Sequence, residues 1–100
     1  MISLLLFMFL AARPSTVVSW QPAQGAETYS VFRSAKPGLC VAPAYATGLT
    51  ETTFTDNAVI LDHVYYYSIQ AVNGLGATCS ATYTKCEVKP PLPHNCSVVQ

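Results

Sequence analysis

Charged side chains are scarce in this sequence: Asp, Glu, Lys and Arg make up 10% of its 100 residues, against roughly 25% in ordinary soluble domains. The five basic and five acidic residues cancel, so the formal net charge is zero. Binding to the phosphate groups of nucleic acids or of anionic lipids requires clustered Lys and Arg side chains. The sequence therefore predicts no binding to nucleic acid or to a charged membrane surface.

Motifs for catalysis and for cofactor binding are also missing. The sequence contains neither the Gly-x-Ser-x-Gly turn of a nucleophilic serine nor a Gly-rich phosphate loop. Asp62 and His63 are adjacent, but neighbours on a strand or turn point apart. His94 and Cys96 offer two metal ligands, whereas zinc is held by three or four protein side chains. We therefore predict no enzymatic activity, no catalytic residues, no cofactor and no metal ion.

Only one long apolar run occurs, ISLLLFMFLAA at residues 2–12. It is too short to span a bilayer, which needs about 20 residues, so we predict no membrane span. It resembles the apolar region of a secretory signal. However, no Lys or Arg precedes it, and Leu10 stands where cleavage after Ala12 requires a small residue. Residues 1–13 are therefore a signal-like segment, a poor first strand or the artefact of a mis-started fragment.

The remaining sequence is dominated by short segments in which apolar and polar residues alternate. In TVVSW (16–20), Thr16, Val18 and Trp20 share one face. NGLG is a strong hairpin signal, and the Pro-rich end of the chain from residue 89 is typical of a linker or tail. Turn signals every eight to twelve residues predict an antiparallel β-sandwich. Further strands are predicted at residues 27–34, 42–49, 52–56, 65–73 and 82–88.

Three stretches resemble a fibronectin type III domain over residues 14–90: VVSWQPAQGAETYSVFRS, ATGLTETTFTD and YYYSIQAVNGLG. Each motif is common alone, but their order and spacing are specific to that family. The chain looks similar to the domains of this kind that are appended to secreted bacterial multidomain proteins. The resemblance implies an immunoglobulin-like antiparallel β-sandwich of six to seven strands, with a doubtful first strand and a Pro-rich linker or tail at residues 91–100.

The resemblance also implies structural roles for most of the aromatic residues. Tyr65 matches the corner tyrosine, whose ring packs inward and whose hydroxyl bonds the backbone of the preceding crossover. Asp62 stands where the family often has Gly, and Asp tolerates the left-handed backbone conformation. The predicted structural core consists of Trp20, Tyr29, Val31, Phe54, Tyr65, Tyr67 and Ile69. The predicted contact surface consists of Phe32, Tyr66, Asn73 and Leu75.

Four cysteines in so short a chain predict disulfides and an oxidising, secreted or extracellular location. We favour a Cys79–Cys86 bridge, because residues 76–90 form a longer segment than is usual for the family. Beside that bridge, Cys96 would be free or paired with Cys40. Cys40–Cys86 is the second choice. Cys40–Cys79 is expected least, because the family topology places these two residues at opposite ends of the sandwich.

Two functions remain open at this point. The first is a non-catalytic extracellular fibronectin type III module that acts as a spacer or as a protein- or carbohydrate-interaction domain within a larger protein. Its partners would be the neighbouring domains of the parent chain and a protein or polysaccharide ligand. The alternative is a small stand-alone secreted binding protein that uses its loops and exposed aromatic residues.

Overall fold

The computed structural model describes residues 13–99, so the predictions for residues 1–12 lie outside the described part of the chain. Within residues 13–99 there is no helix long and apolar enough to cross a membrane. The eight strands are β1 (Thr16–Trp20), β2 (Thr28–Ser34), β3 (Ala46–Leu49), β4 (Thr53–Asp56), β5 (Val64–Asn73), β6 (Gly76–Cys79), β7 (Thr84–Glu87) and β8 (His94–Val98).

The strands form two sheets packed face to face. One sheet has three strands in the order β4-β1-β8, and the other has five strands, in the order β3-β2-β5-β6 with β7 also paired to β5. β7 pairs with the first part of β5 (residues 64–67) and β6 with the last part (residues 70–73). The predicted immunoglobulin-like all-β class is therefore confirmed.

The core lies between the sheets and is built by the predicted alternation. In β1, Thr16, Val18 and Trp20 are buried, whereas the two residues between them are half-buried. Phe54 and Tyr65 are half-buried and pack against the core from its edge, at positions predicted for core residues. The buried core cluster comprises Val18, Trp20, Tyr29, Val31, Tyr67, Ile69, Cys86, Cys96 and Val98.

The linker or tail predicted at residues 91–100 is wrong for residues 94–98. These residues form β8, which pairs in parallel with β1 from Thr16 and His94 to Trp20 and Val98. Cys96 and Val98 point into the core while the residues between and beside them are exposed. β8 thus satisfies the backbone hydrogen-bonding groups along an edge of β1 that would otherwise be open.

The two disulfides join Cys40 to Cys79 and Cys86 to Cys96, each with 6.1 Å between the Cα atoms. The predicted Cys79–Cys86 bridge is therefore wrong, as are the second choice, Cys40–Cys86, and both alternatives for Cys96. Cys86 and Cys96 meet because β8 lies in the sheet opposite β7. Their bridge ties the last strand covalently to the other sheet.

The Cys40–Cys79 pair, which was expected least, forms because the loop after β2 does not stay at one end of the sandwich. It folds back over the outer face of β5, where the Cys40 amide donates a hydrogen bond to Ser68 Oγ at 2.8 Å. Cys40 has a φ of 47°, which turns the chain at this point. Cys79 lies beside this position because it pairs with Gln70 of β5.

The corner tyrosine is present at the crossover between β4 and β5. The Ile60 amide donates a hydrogen bond to the Tyr65 hydroxyl at 2.9 Å, as the resemblance implied. Asp62 has a φ of 69°, so Asp takes the left-handed conformation for which glycine is usually chosen. The Asp62 amide donates to the Val88 carbonyl at 2.8 Å, which fixes this turn to the end of β7.

Replacing Tyr65 with Phe should lower the free energy of unfolding by about 0.5–1.5 kcal/mol, because one hydrogen bond at a solvent-accessible turn is lost. The ring and its packing remain. Urea denaturation of the two proteins measures the difference. Tyr83→Phe, which removes an exposed hydroxyl, is the matched control, and equal losses in the two variants would show that the Tyr65 hydrogen bond does not stabilise the crossover.

Candidate functional site

A buried carboxylate joins the two sheets. Asp56 ends β4 and is 1% exposed. Its Oδ1 accepts hydrogen bonds from the Tyr45 hydroxyl at 2.8 Å and from the Ala58 amide at 3.0 Å. Its Oδ2 accepts from the Tyr67 hydroxyl at 2.7 Å and from Arg33 Nη1 at 2.8 Å. Each oxygen therefore has two donors, which uses the full accepting capacity of the group.

The cation of this cluster lies between two aromatic rings. Arg33 is in β2, directly opposite Tyr67 of β5. Its guanidinium carbon is 4.1 Å from the centre of the Tyr45 ring and 4.9 Å from the centre of the Tyr65 ring. Nη1 also donates to the Ala58 carbonyl at 3.0 Å. These contacts hold the arginine in one orientation, and each cation–π contact adds about 0.5–2 kcal/mol.

The protonation states in the cluster follow from burial and hydrogen bonding. Burial by itself would raise the pKa of the Asp56 carboxyl, but the hydrogen bonds from Tyr67, Ala58, Tyr45 and Arg33 outweigh it and hold this pKa below its ordinary value. Burial, and then the hydrogen bond to Asp56, raise the pKa of the Tyr67 phenol. At neutral pH the carboxylate is therefore charged and the phenol is protonated.

This arrangement suits a structural ion pair better than acid–base chemistry. A general base needs a pKa near the operating pH and a free position facing a substrate proton. Asp56 has neither, because its pKa is lowered and its four accepting positions are filled by donors of the same chain. The Asp56 cluster, which we define as Arg33, Tyr45, Asp56 and Tyr67, thus links the two sheets through hydrogen bonds and an ion pair.

Because of the Asp56 cluster, we expect the free energy of unfolding to fall at acidic pH. The unfolded-state pKa of Asp is about 3.9, and the folded-state pKa of Asp56 is lower. The stabilisation is therefore fully present above about pH 4 and is lost as the pH falls through the folded-state pKa. Tyr45→Phe removes one donor to the carboxylate, which should raise that pKa and cost about 1.5 kcal/mol at pH 7.

Urea denaturation at pH 7 and at pH 2 measures this effect. We expect the loss of unfolding free energy between the two pH values to be smaller in Tyr45→Phe than in the natural protein. Tyr83→Phe, which lies outside the cluster, should lose as much unfolding free energy between pH 7 and pH 2 as the natural protein does. Equal losses in all three proteins would show that the hydrogen bonds to Asp56 do not set the acid sensitivity.

The predicted contact residues at the β5–β6 hairpin lie together. Leu75 is at the tip of the hairpin and is 99% exposed. The Asn73 side chain accepts a hydrogen bond from the Leu75 amide at 2.8 Å and donates one to the Gly25 carbonyl at 3.0 Å. It therefore joins the hairpin to the loop between β1 and β2. An open groove of about 440 Å³, with Ala23 and Ala71 in its lining, lies beside Leu75.

The two aromatic residues of the predicted contact surface lie elsewhere. Tyr66 is half-buried on the outer face of β5, where its ring meets that of Tyr83 edge to face at 5.5 Å. Phe32 is 7% exposed, so its prediction as an exposed contact residue is wrong. The loop carrying Gly38 and Val41 lies close to the Phe32 side of β2. Phe32 is on the outer face by strand alternation, but this loop covers it.

The Asp56 cluster itself was not predicted, although a signal for it exists. In the predicted strand 52–56, Phe54 and Asp56 share one face because side chains alternate with a period of two. If Phe54 faces the core, Asp56 must do so too, and a buried carboxylate requires a cation and hydrogen-bond donors. Arg33 could not have been chosen from the sequence alone, because the pairing of β2 with β5 decides its position.

No family model matches the chain, and no curated protein matches it. The structure shows an all-β architecture with two disulfides. The fibronectin type III resemblance rests on the sequence motifs and stays a prediction.

Proposed function

We propose that this chain is a non-catalytic extracellular module of the fibronectin type III kind, which acts as a spacer or interaction domain within a larger protein. The path of the chain through the three-stranded sheet is the observation that carries this proposal. The chain enters that sheet at Thr16 and leaves it at Val98, and β1 and β8 run in parallel. At about 3.3 Å per residue, the entry and exit points are about 13 Å apart at opposite ends of the pair. Neighbouring domains attached there would be held on opposite sides of the module.

The cross-links between the sheets support a spacing role, since a spacer must resist deformation. The Cys86–Cys96 bridge connects β8, the exit strand, to the five-stranded sheet. The Arg33–Asp56 ion pair, with 2.8 Å between nitrogen and oxygen, connects β2 to β4 on the opposite sheet. Two disulfides are also compatible with an extracellular protein, because such bonds persist in oxidising compartments.

A distance measurement tests the spacer function. Residues 13–99 would be placed between a donor and an acceptor fluorescent domain, and single-molecule energy transfer would be recorded. A spacer predicts one narrow distance distribution that reduction of the disulfides broadens. A Gly/Ser segment of the same length is the control, because it behaves as a flexible coil. A distribution as broad as that of the control would contradict the proposal.

The exposed Leu75 favours a second candidate, a small secreted binding protein. A fully exposed Leu beside a groove offers apolar surface that a ligand would cover, and burying apolar surface is favourable by about 25 cal/mol per Å². A screen of the protein against arrays of polysaccharides and of secreted proteins would test this. A ligand that Leu75→Ser loses and Tyr66→Ser retains would support the hairpin surface, whereas a ligand unaffected by Leu75→Ser would contradict it.

A further inference from the structure

Cys86, His94 and Cys96 come together where β7 faces the start of β8. One ligand atom from each residue, the two sulfurs and a ring nitrogen, lies within 4.8 Å of the others. The sequence suggested no metal site because only His94 and Cys96 are close along the chain. The fold supplies Cys86 as the third ligand. We propose that, once the Cys86–Cys96 disulfide is reduced, these three residues bind a zinc ion.

The spacing of the ligand atoms fits zinc. Zn–S bonds of about 2.3 Å and Zn–N bonds of about 2.0–2.1 Å in a tetrahedral site place neighbouring ligand atoms about 3.5–3.8 Å apart. The His94 ring nitrogen lies within 4.8 Å of both sulfurs, whereas the two sulfurs are at bonding distance in the disulfide. When the disulfide opens, the two sulfurs separate from bonding distance towards the spacing that zinc requires. The site therefore needs side-chain adjustments and no rearrangement of the strands.

His94 is held in an orientation that favours metal binding. Its Nδ1 lies 3.1 Å from the Lys89 carbonyl oxygen. Because a carbonyl only accepts hydrogen bonds, the Nδ1 that faces it acts as the donor, which leaves Nε2 as the nitrogen that would bind the metal. A backbone carbonyl that fixes the imidazole in this way is the usual partner of a metal-binding histidine.

Charge and burial also fit a divalent cation. Cys86 is 1% and Cys96 is 8% exposed, and two bare thiolates in such positions would be costly. Two thiolates, one neutral imidazole and Zn²⁺ sum to zero net charge, which removes that cost. His94 is only half-buried, so a metal ion could reach the site from solvent. Three protein ligands with one open position form a known class of zinc site.

The disulfide and the zinc site exclude each other. A dithiol reductant transfers two electrons and two protons to the Cys86–Cys96 bond, which opens to two thiols while the reductant becomes a disulfide. Zinc then binds, and both thiols release their protons to solvent. In either state Cys86 and Cys96 remain linked, through the S–S bond or through the metal. β8 therefore stays attached to the opposite sheet in both states, and zinc binds only when Cys86 and Cys96 are reduced.

Titration with Co²⁺, a spectroscopic substitute for zinc, tests the site. The full chain is reduced with a phosphine, the reductant is removed without oxygen, and the absorption of thiolate-bound tetrahedral cobalt is followed. We expect saturation at one ion per chain, displacement by Zn²⁺, and no signal from the oxidised protein. His94→Gln should weaken binding at least about tenfold. His63→Gln, at the other histidine, is the matched control and should leave binding unchanged.

A variant with Cys40→Ser and Cys79→Ser removes the other disulfide and should still bind one ion. The proposal is wrong if the reduced protein binds no cobalt, if His94→Gln binds as tightly as the natural chain, or if the Cys40 and Cys79 variant loses binding. If reduction unfolds the chain, one equivalent of zinc should restore the β-sheet circular dichroism spectrum of the reduced natural protein. The same addition should not restore this spectrum in the reduced Cys96→Ser variant. Failure to restore it would also contradict the proposal.

Discussion

Replacing Asp56 with Asn should lower the free energy of unfolding by about 3–5 kcal/mol, the range for losing one partner of a buried ion pair. Each carboxylate oxygen accepts from a donor that cannot become an acceptor: the Ala58 amide at Oδ1 and Arg33 Nη1 at Oδ2. The Asn amide nitrogen must replace one of these oxygens. In either orientation of the Asn side chain, its NH₂ group therefore faces another hydrogen-bond donor. The Arg33 charge also loses its counter-ion.

Chemical denaturation followed by circular dichroism measures this loss. Asp62→Asn is the matched control, because Asp62 is exposed and Asn also tolerates the left-handed conformation of that turn. The control should change stability by less than about 0.5 kcal/mol. If Asp56→Asn were as stable as Asp62→Asn, the two sheets would not depend on the Asp56 cluster.

Trp20→Ala should have an effect of similar size, about 3–5 kcal/mol, because it removes the largest side chain of the core and leaves a cavity. Trp20 is 4% exposed, and its ring meets Tyr29 edge to face with 5.5 Å between ring centres. Domains of this size are stable by about 5–15 kcal/mol in total. The variant should therefore be partly or wholly unfolded at 37 °C.

Trp20→Phe provides the comparison for this prediction. Within residues 13–99 the indole Nε1 has no hydrogen-bond partner, so Phe loses ring volume but no hydrogen bond and should cost clearly less than Ala. Because Trp20 is the only tryptophan, stability must be followed by circular dichroism rather than by intrinsic tryptophan fluorescence. A Trp20→Ala protein with the stability of the natural chain would contradict the position of Trp20 in the core.

The two variants probe different links between the sheets. Trp20 tests apolar packing at the centre, and Asp56 tests a polar connection from β4 to β2 and β5. The two losses should add unless the sites share partners. The double variant should then remain unfolded even with both disulfides intact, since cross-links restrict the unfolded chain but supply little packing.

The local features of the fold could be read from the sequence by itself. The alternation in TVVSW determined which residues of β1 are buried, and NGLG determined the β5–β6 hairpin. The corner at Tyr65 and the left-handed Asp62 were implied by the family resemblance. These features were accessible because strand alternation and turn conformation depend on residues that are close along the chain.

The tertiary structure alone decided the pairings between distant segments. β8 pairs with β1, the loop of Cys40 folds over β5 and buries Phe32, and Cys86 comes to face His94 and Cys96. The Asp56 cluster likewise needs β2, β4 and β5 in their final places. Such contacts depend on which edges remain unpaired and which surfaces remain uncovered once the whole chain has folded, and short-range periodicity carries no information about either.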